Sequence, residues 1–399
     1  MFGGLEKKYF DKPLSQGFVS LYTGRTIMMI GGALLGLFLP IFLYELFNQN
    51  FIAVVIYYGI GYFIYGITIT LGAKFLNKFG FKKALQVSVI LAALFYVVFY
   101  LIDNKSLEEL IPLTVFIVVL FRLFHWLPYH VDFAKFSDKK NRAKQVSFFS
   151  ATRLALGVFI PLAAGFIVSR FGFDVLFLIA IILYFVSGIP FMAVPRTREK
   201  FSWSVKQTWQ QFFSRKRRKM ILAYMANGAE NMVGLVVWPI FIYQLLNGNY
   251  FQIGALSTLI IAFTVVLQLL TGKYIDSKIS KEKAIHWGSV FYSFGWIIKI
   301  FISTAFQIFI VGAYHSITSI LLRTPFDTLT YEIAADQGHY VDEFTVLREM
   351  AINLGRSIMV VLIILTSLYF AIQWIFILAA IATIIFNLLE QRDVKLNVA

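Results

Sequence analysis

The fold this sequence predicts is an all-α integral membrane protein, with twelve transmembrane helices in two six-helix bundles related by a parallel repeat. Three observations predict it. Of 399 residues, 59% are hydrophobic and only 14% charged, with a mean hydropathy of +0.75. Soluble domains carry about 45–50% apolar and about 25% charged residues, so this chain has too little polar surface to cover a globule in water. The apolar residues also gather into runs of the length needed to cross the hydrocarbon layer, about 20 residues of helix. Finally, a segment of the first half recurs 199 residues later.

In chain order the runs fall at 20–47, 51–73, 83–102, 108–134, 146–169, 172–194, 219–246, 251–275, 284–303, 305–333, 346–369 and 371–389, each bounded by charged residues or by Gly, Pro and Asn. Each has to be helical, because hydrocarbon offers no partner to an unpaired peptide group. The connections are short except for 196–218, a charged linker that divides an N-terminal bundle (1–195) from a C-terminal one (219–399). There is no cysteine, which excludes disulfides, thiol catalysis and cysteine-ligated metal.

Charge sets the orientation. With the N-terminus placed inside, 28 of the 36 Lys and Arg residues fall on one face, two (Lys105 and Arg170) on the other and six within spans. Positive charge marks the cytoplasmic side, so both termini are expected in the cytoplasm of a multi-pass protein of the cell membrane. The net charge of +15 then serves orientation and contact with anionic lipid headgroups, and gives no support to nucleic-acid binding. One cytoplasmic loop, 332–343, is acidic instead, with Glu332, Asp336, Asp342 and Glu343.

The repeat is clearest at the ends of spans 1 and 7, where Pro40-Ile-Phe-Leu-Tyr-Glu-Leu-Phe-Asn48 answers Pro239-Ile-Phe-Ile-Tyr-Gln-Leu-Leu-Asn247. Asn77 and Asp276 keep the offset on basic loops, Pro128 and Pro325 hold it at 197, and Gly157 and Gly355 at 198. Six crossings return the chain to the side it started from, so the two copies run parallel.

After span 2 the sequence reads Ala73-Lys74-Phe75-Leu76-Asn77-Lys78-Phe79-Gly80-Phe81-Lys82. It resembles the loop Gly-x-Leu-Ala-Asp-Arg-x-Gly-Arg-Lys of the major facilitator superfamily, keeping Lys78, Gly80 and Lys82 but placing Asn77 at the acid and Ala73 at the first glycine. The second copy, Gly272-Lys273-Tyr274-Ile275-Asp276, keeps the glycine and the acid. The resemblance implies a gating role for Asn77, Lys78, Gly80, Lys82, Gly272 and Asp276. It also implies a mid-membrane cavity lined by spans 1, 4, 7 and 10, and spans 2, 5, 8 and 11 between the halves. The family's proton-associated pattern Arg-x-x-Gln-Gly survives only as Arg122 in Arg122-Leu-Phe-His125-Trp126. Its antiporter pattern survives only in Pro161 and Gly165, which close helix packing explains equally well.

An ionisable group at mid-bilayer costs several kcal/mol and so needs a partner or water. On span 4, Arg122, His125, Tyr129 and Asp132 recur at helical spacing and share one face. As a cavity stripe they would use Arg122 for an anionic group, with His125 or Asp132 titrating; as a strut they would pair internally. Span 7 carries Asn227, Glu230 and Asn231 on one face, and Glu230 and Asp132 are the candidate proton carriers. Burial disfavours an unpaired carboxylate there; the competing arrangement pairs Glu230 with a cation such as Arg122. On span 10, Ser316, Ser319, Arg323 and Asp327 share a face, and Arg323 with Asp327 forms an i,i+4 pair that could serve a gate or touch solute. Arg25, Arg153 and Arg356 are expected to pair at gates or between bundles.

In the linker, Val205, Trp209, Phe212 and Phe213 sit at helical spacing, which reads as a short amphipathic helix on the inner membrane surface, followed by the basic run Arg215–Lys219. Nucleotide-binding and zinc-protease motifs are absent, so no cofactor or metal is expected. The leading expectation is a monomeric secondary transporter of a small solute working by alternating access, with protons as the candidate coupling ion in symport or antiport. Substrate binding is assigned to Arg122, His125, Tyr129, Asn227, Asn231, Ser319 and Arg323. A facilitative uniporter or exporter of the same fold is the alternative within transport. A transporter-like receptor or a lipid-handling membrane protein is the alternative outside it; an enzyme is disfavoured because no nucleophile accompanies the span 4 stripe.

Overall fold

The computed structural model describes residues 14–103, 105–137, 142–197, 200–275, 281–336 and 341–389, and these residues are helical almost throughout. Helix α1 runs over Gln16–Gly36 and, past Leu37, continues as Phe38–Leu46. Then come α2 (Phe51–Phe79), α3 (Phe81–Leu101) and α4 (Leu107–Phe136). The next helical stretch, Arg142–Met192, is broken at Gly172, where φ is +79° and ψ 178°, which divides it into α5 (142–171) and α6 (173–192). In the second half α7 comprises Arg218–Met232, a π-helical turn at Val233–Val237 and Trp238–Leu245. It is followed by α8 (Tyr250–Ile275), α9 (Lys281–Ile298), α10 (Ala305–Asp336), α11 (Val341–Ser367) and α12 (Ile372–Leu388). Side chains cap the exposed starts: Ser15 Oγ accepts from the Phe18 amide at 3.1 Å, and Asn50 Oδ1 from that of Ala53 at 3.0 Å.

Packing repeats between halves. In the first, α1 lies on the α5–α6 hairpin, α3 on α4 and α6, and α2 on α4; in the second, α7 lies on α11 and α12, α9 on α10 and α12, and α8 on α10. The halves meet along α2–α11 and α5–α8. At the latter seam the backbones touch: a Cβ on Gly165 would lie 2.6 Å from the Tyr250 carbonyl oxygen, and one on Gly254 2.3 Å from that of Pro161. Close packing therefore accounts for Pro161 and Gly165. Faces turned away from the seam carry apolar residues such as Phe185, Ile189, Phe291, Phe294 and Ile381, all exposed as a lipid-facing surface is.

The duplication is visible in hydrogen bonds. Asn48 and Asn247 both adopt positive φ, and each sits in the same turn: Gln49 N donates to Tyr44 O at 2.7 Å, and Gly248 N to Tyr243 O at 3.0 Å. The next residues, Asn50 and Asn249, both cap the following helix. Across the seam the copies contact each other reciprocally. Gln244 Nε2 donates to Tyr44 Oη at 2.8 Å, while Tyr243 Oη donates to Glu45. A contact in which each half offers the same two positions to the other is the signature of a two-fold relation.

The linker is ordered around a helix over Val205–Phe212, started by a capping box between Ser204 and Gln207. Ahead of it, Phe201 and Trp203 are buried, and residues 201–202 tie the halves together. Asn77 Nδ2 donates to the Phe201 carbonyl at 2.7 Å and Asn77 Oδ1 accepts from its amide at 2.9 Å. Ser202 donates through N and Oγ to Glu343 Oε1, at the start of α11, at 2.8 and 2.6 Å. The acidic loop thus supplies structural acceptors: Glu343 here, and Glu332 for Lys281 at 2.5 Å.

Candidate functional site

A cavity of about 550 Å³ lies between the halves. Residues of α1, α2, α3, α4, α5, α7, α10 and α11 line it, and the irregular points of α1 and α7, beside Gly36 and Leu235, are among them. Six guanidiniums reach it (Arg25, Arg122, Arg153, Arg323, Arg348 and Arg356) against two carboxylates, Asp327 and Glu349. Aromatic rings fill much of the remaining wall, including Tyr57, Tyr58, Tyr62, Phe95, Phe121 and Trp126.

The guanidiniums differ in what holds them. Arg323 donates to Glu230 Oε2, and Arg348 to Glu349 Oε1 at 3.4 Å. Arg25 reaches His125 Nε2 at 3.5 Å and lies over the Trp126 ring at 4.6 Å. Arg356 donates to two neutral amides, Asn353 Oδ1 at 3.1 Å and Asn231 Oδ1 at 2.8 Å. Arg122 has a buried Nη1 with no hydrogen-bond partner. Among the described residues neither Arg122 nor Arg356 meets a carboxylate, yet both stack on one ring: their guanidinium carbons are 4.1 and 4.4 Å from the Tyr62 centroid. The two cations, one from each half, cannot be farther apart than those distances laid end to end. At about 8 Å and an effective dielectric of about 20 they repel by about 2 kcal/mol. Tyrosine faces offset some of this; an anion between the two would offset more.

Glu230 sits on the other side of Arg323. It is 1% exposed, accepts from Tyr292 Oη at 2.7 Å and from Arg323, and does not line the cavity. Its cation is therefore Arg323 and not Arg122, and the guanidinium expected to pair with Asp327 is taken by Glu230. Nearby, Lys299 Nζ lies between the rings of Trp238 and Trp296 at 4.0 and 3.9 Å, and His315 stacks on Tyr292 at 4.1 Å.

Of the residues expected at a binding site, Arg122, Tyr129, Asn227, Asn231 and Arg323 reach the cavity. His125 does not. It is fully buried between Ser88 Oγ at 3.2 Å and Arg25, because the wall is made by Phe121, Trp126 and Tyr129 around it. Asp132 is likewise fully buried outside the lining, so the four-residue face of α4 is split between cavity and protein interior. Ser319 also lies off the lining and donates to the Ser316 carbonyl at 2.8 Å. In the first gating loop Asn77 binds the linker, Lys78 is exposed, Gly80 ends α2 with φ at +89°, and Lys82 is half-buried in the first turn of α3. Gly272 lies within α8, and Asp276 falls outside the described residues.

Tyr62, Arg356 and His130 are the site residues that sequence reasoning missed. Arg356 was recognised as intramembrane charge, yet its facing the same ring as Arg122 depends on the α2–α11 contact, which no spacing reveals. His130 reaches the cavity from α4, with Glu349 Oε1 at 3.8 Å and Tyr331 Oη at 3.5 Å. These contacts join the two halves at the end of the cavity nearer the linker. Glu45, which accepts from Tyr243 and Tyr250, joins them at the end nearer Asn48.

The profile of the Major Facilitator Superfamily matches residues 21–341. An uncharacterised protein of Bacillus subtilis, YqgE, is 22% identical over 362 residues, 89% of this chain and 83% of its own. Among solved structures, the human organic anion transporter MFSD10 aligns with a TM-score of 0.69 at 10% identity, covering 94% of this chain and 99% of that one. A peptide transporter, POT, in complex with sulfate aligns at 0.67 and 10%, covering 94% and 93%. At such identities these likenesses speak for the fold alone. With the profile spanning most of the chain, and twelve helices in two bundles around a central cavity, this multi-pass membrane transporter of small solutes belongs to the Major Facilitator Superfamily.

Proposed function

We propose that the protein is a secondary transporter that carries a small solute by alternating access, its two bundles rocking about the α2–α11 and α5–α8 seams. The observation that carries this reading is Arg122: a mid-helix guanidinium with an unsatisfied Nη1, facing a cavity that both halves line. An uncompensated charge there is costly, and a bound solute is what offsets it. Arg122, Tyr129, Asn227, Asn231 and Arg323 form the binding surface, with His125 and Ser319 as supports behind it. The charge asymmetry of the loops supports both termini on the cytoplasmic side of the cell membrane, with the Glu45 contacts outward and the His130–Glu349 contacts inward.

Glu230 is the proposed proton carrier. It pairs with Arg323, which lines the cavity, so a solute group that competes for Arg323 acts on this carboxylate as well. Asp132, buried toward the inner end of α4, is the second candidate. The test is uptake of a labelled solute panel by proteoliposomes with and without a pH gradient. Accumulation that requires the gradient and is lost in Glu230→Gln supports proton coupling. Equilibration that ignores the gradient identifies a uniporter, and no movement of any solute favours a receptor-like or lipid-handling protein.

A further inference from the structure

We propose that the solute is a compact organic anion carrying two negative charges at one end and a planar apolar body, such as an aromatic phosphate monoester or dicarboxylate. The inference rests on the transporter reading and names the substrate class of that site. Arg122 and Arg356 approach one Tyr62 ring from different halves, and among the described residues neither has a carboxylate. Arg356 is oriented by Asn353 and Asn231, amide oxygens that fix the fork without neutralising it. A single carboxylate satisfies one guanidinium fork; two cavity-lining forks, no farther apart than their 4.1 and 4.4 Å distances to the Tyr62 centroid laid end to end, match a dianion, whose oxygens can serve both. Because the forks come from different halves, the dianion would also bridge the bundles. Much of the rest of the wall is aromatic, with Tyr58, Phe95, Phe121 and Trp126 suiting a flat apolar body. The cavity's 550 Å³ matches a small molecule and excludes a polymer.

The test is binding to the purified full-length protein in detergent, measured by calorimetry with phenyl phosphate, phthalate, inorganic phosphate, benzenesulfonate and benzyl alcohol. At pH 7.5 phenyl phosphate and phthalate, both dianions, are expected to bind roughly tenfold or more tightly than the monoanion benzenesulfonate. Their order separates phosphate ester from dicarboxylate. Inorganic phosphate is expected to be weaker than phenyl phosphate, because it lacks the planar body. A phosphate monoester loses its second charge below about pH 6, so at pH 5 phenyl phosphate should fall to the level of benzenesulfonate while benzenesulfonate holds. Arg356→Gln should erase the preference for dianions, weakening phenyl phosphate and phthalate several-fold more than benzenesulfonate, and Arg356→Lys should restore part of it; unchanged elution and melting without ligand show that each variant folds. Equal binding of mono- and dianions, or a preference that survives Arg356→Gln, overturns the proposal. So does proteoliposome counterflow of a neutral or cationic solute alone, which would leave the transporter reading intact. Dianion binding without counterflow would uphold the class and overturn the transporter reading instead.

Discussion

At the scale of single residues, the cations around the cavity divide by what removing them would leave behind. Arg122 holds no carboxylate, so Arg122→Ala strands no charge: solute binding and transport should fall roughly tenfold or more, with the melting temperature in detergent unchanged or raised. A loss of melting temperature matching the loss of transport would mean that Arg122 is a strut. Arg323 is the opposite case. Arg323→Gln orphans the buried Glu230 carboxylate and should cost about 3–5 kcal/mol, Glu230→Gln leaves the partly exposed Arg323 facing the cavity and should cost less, and the double variant should recover much of the larger loss, because two neutral amides can bond to each other. Thermal unfolding of the three variants is the measurement. If the double variant is as unstable as the sum of the singles, the pair contributes no coupling. Glu230 also marks the limit of what the sequence revealed. That a carboxylate lies mid-membrane was legible in the run around Asn227 and Asn231, but its partner depends on which neighbouring helix rotates toward it. Arg122 and Arg323 were equally available to a reader of spacing, and α10 rather than α4 supplies the cation.

At the scale of elements, helices and turns followed from patterns of apolar length and from a few special residues, and the exceptions have local causes. The division of α5 from α6 rests on Gly172, and both cavity-facing helices α1 and α7 lose regularity at matching positions, Leu37 and Val233–Val237. Such breaks free backbone groups next to a cavity and are common at functional positions. The linker was legible as an amphipathic helix, but its hold on Asn77 was not, since a side chain pairing with a distant backbone leaves no periodic trace. That hold suits an amide at the position where the superfamily's loop pattern has an acid. Asn77 donates and accepts at once, and an ionised Asp has no N–H to offer the Phe201 carbonyl. Asn77→Asp should therefore weaken the strap by about 1–3 kcal/mol, seen as faster amide hydrogen exchange across residues 200–204 while exchange in α2 and α11 is unchanged. Unaltered exchange at Phe201 would show that the burial of Phe201 and Trp203, and not the amide pair, fixes the linker.

At the scale of the whole molecule, duplication relates the end of the cavity near Asn48 to itself by a two-fold rotation. Positions 44 and 45 of the first half meet positions 244 and 243 of the second, with Tyr250 adding a further hydroxyl to Glu45. The contact breaks a strict symmetry at one place: Glu45 answers Gln244, so one carboxylate serves two phenols where the equivalent position offers an amide to one. Glu45→Ala should thus loosen this end selectively, because its loss leaves two hydroxyls without their shared acceptor while the contacts of His130 and Tyr331 at the other end are untouched. The chain contains no cysteine, so a single introduced thiol reports without background. Leu39 lines the cavity toward this end. A membrane-impermeant maleimide added outside intact cells should label Leu39→Cys slowly, and several-fold faster when Glu45→Ala is added. Labelling from the cytoplasmic side of inverted vesicles should slow in the double variant, since one end opens only as the other closes. Faster labelling from both sides would mean that the variant leaks and does not rock. Labelling of Leu39→Cys from the cytoplasmic side alone, with Glu45→Ala accelerating it there, would reverse the orientation drawn from the loop charges.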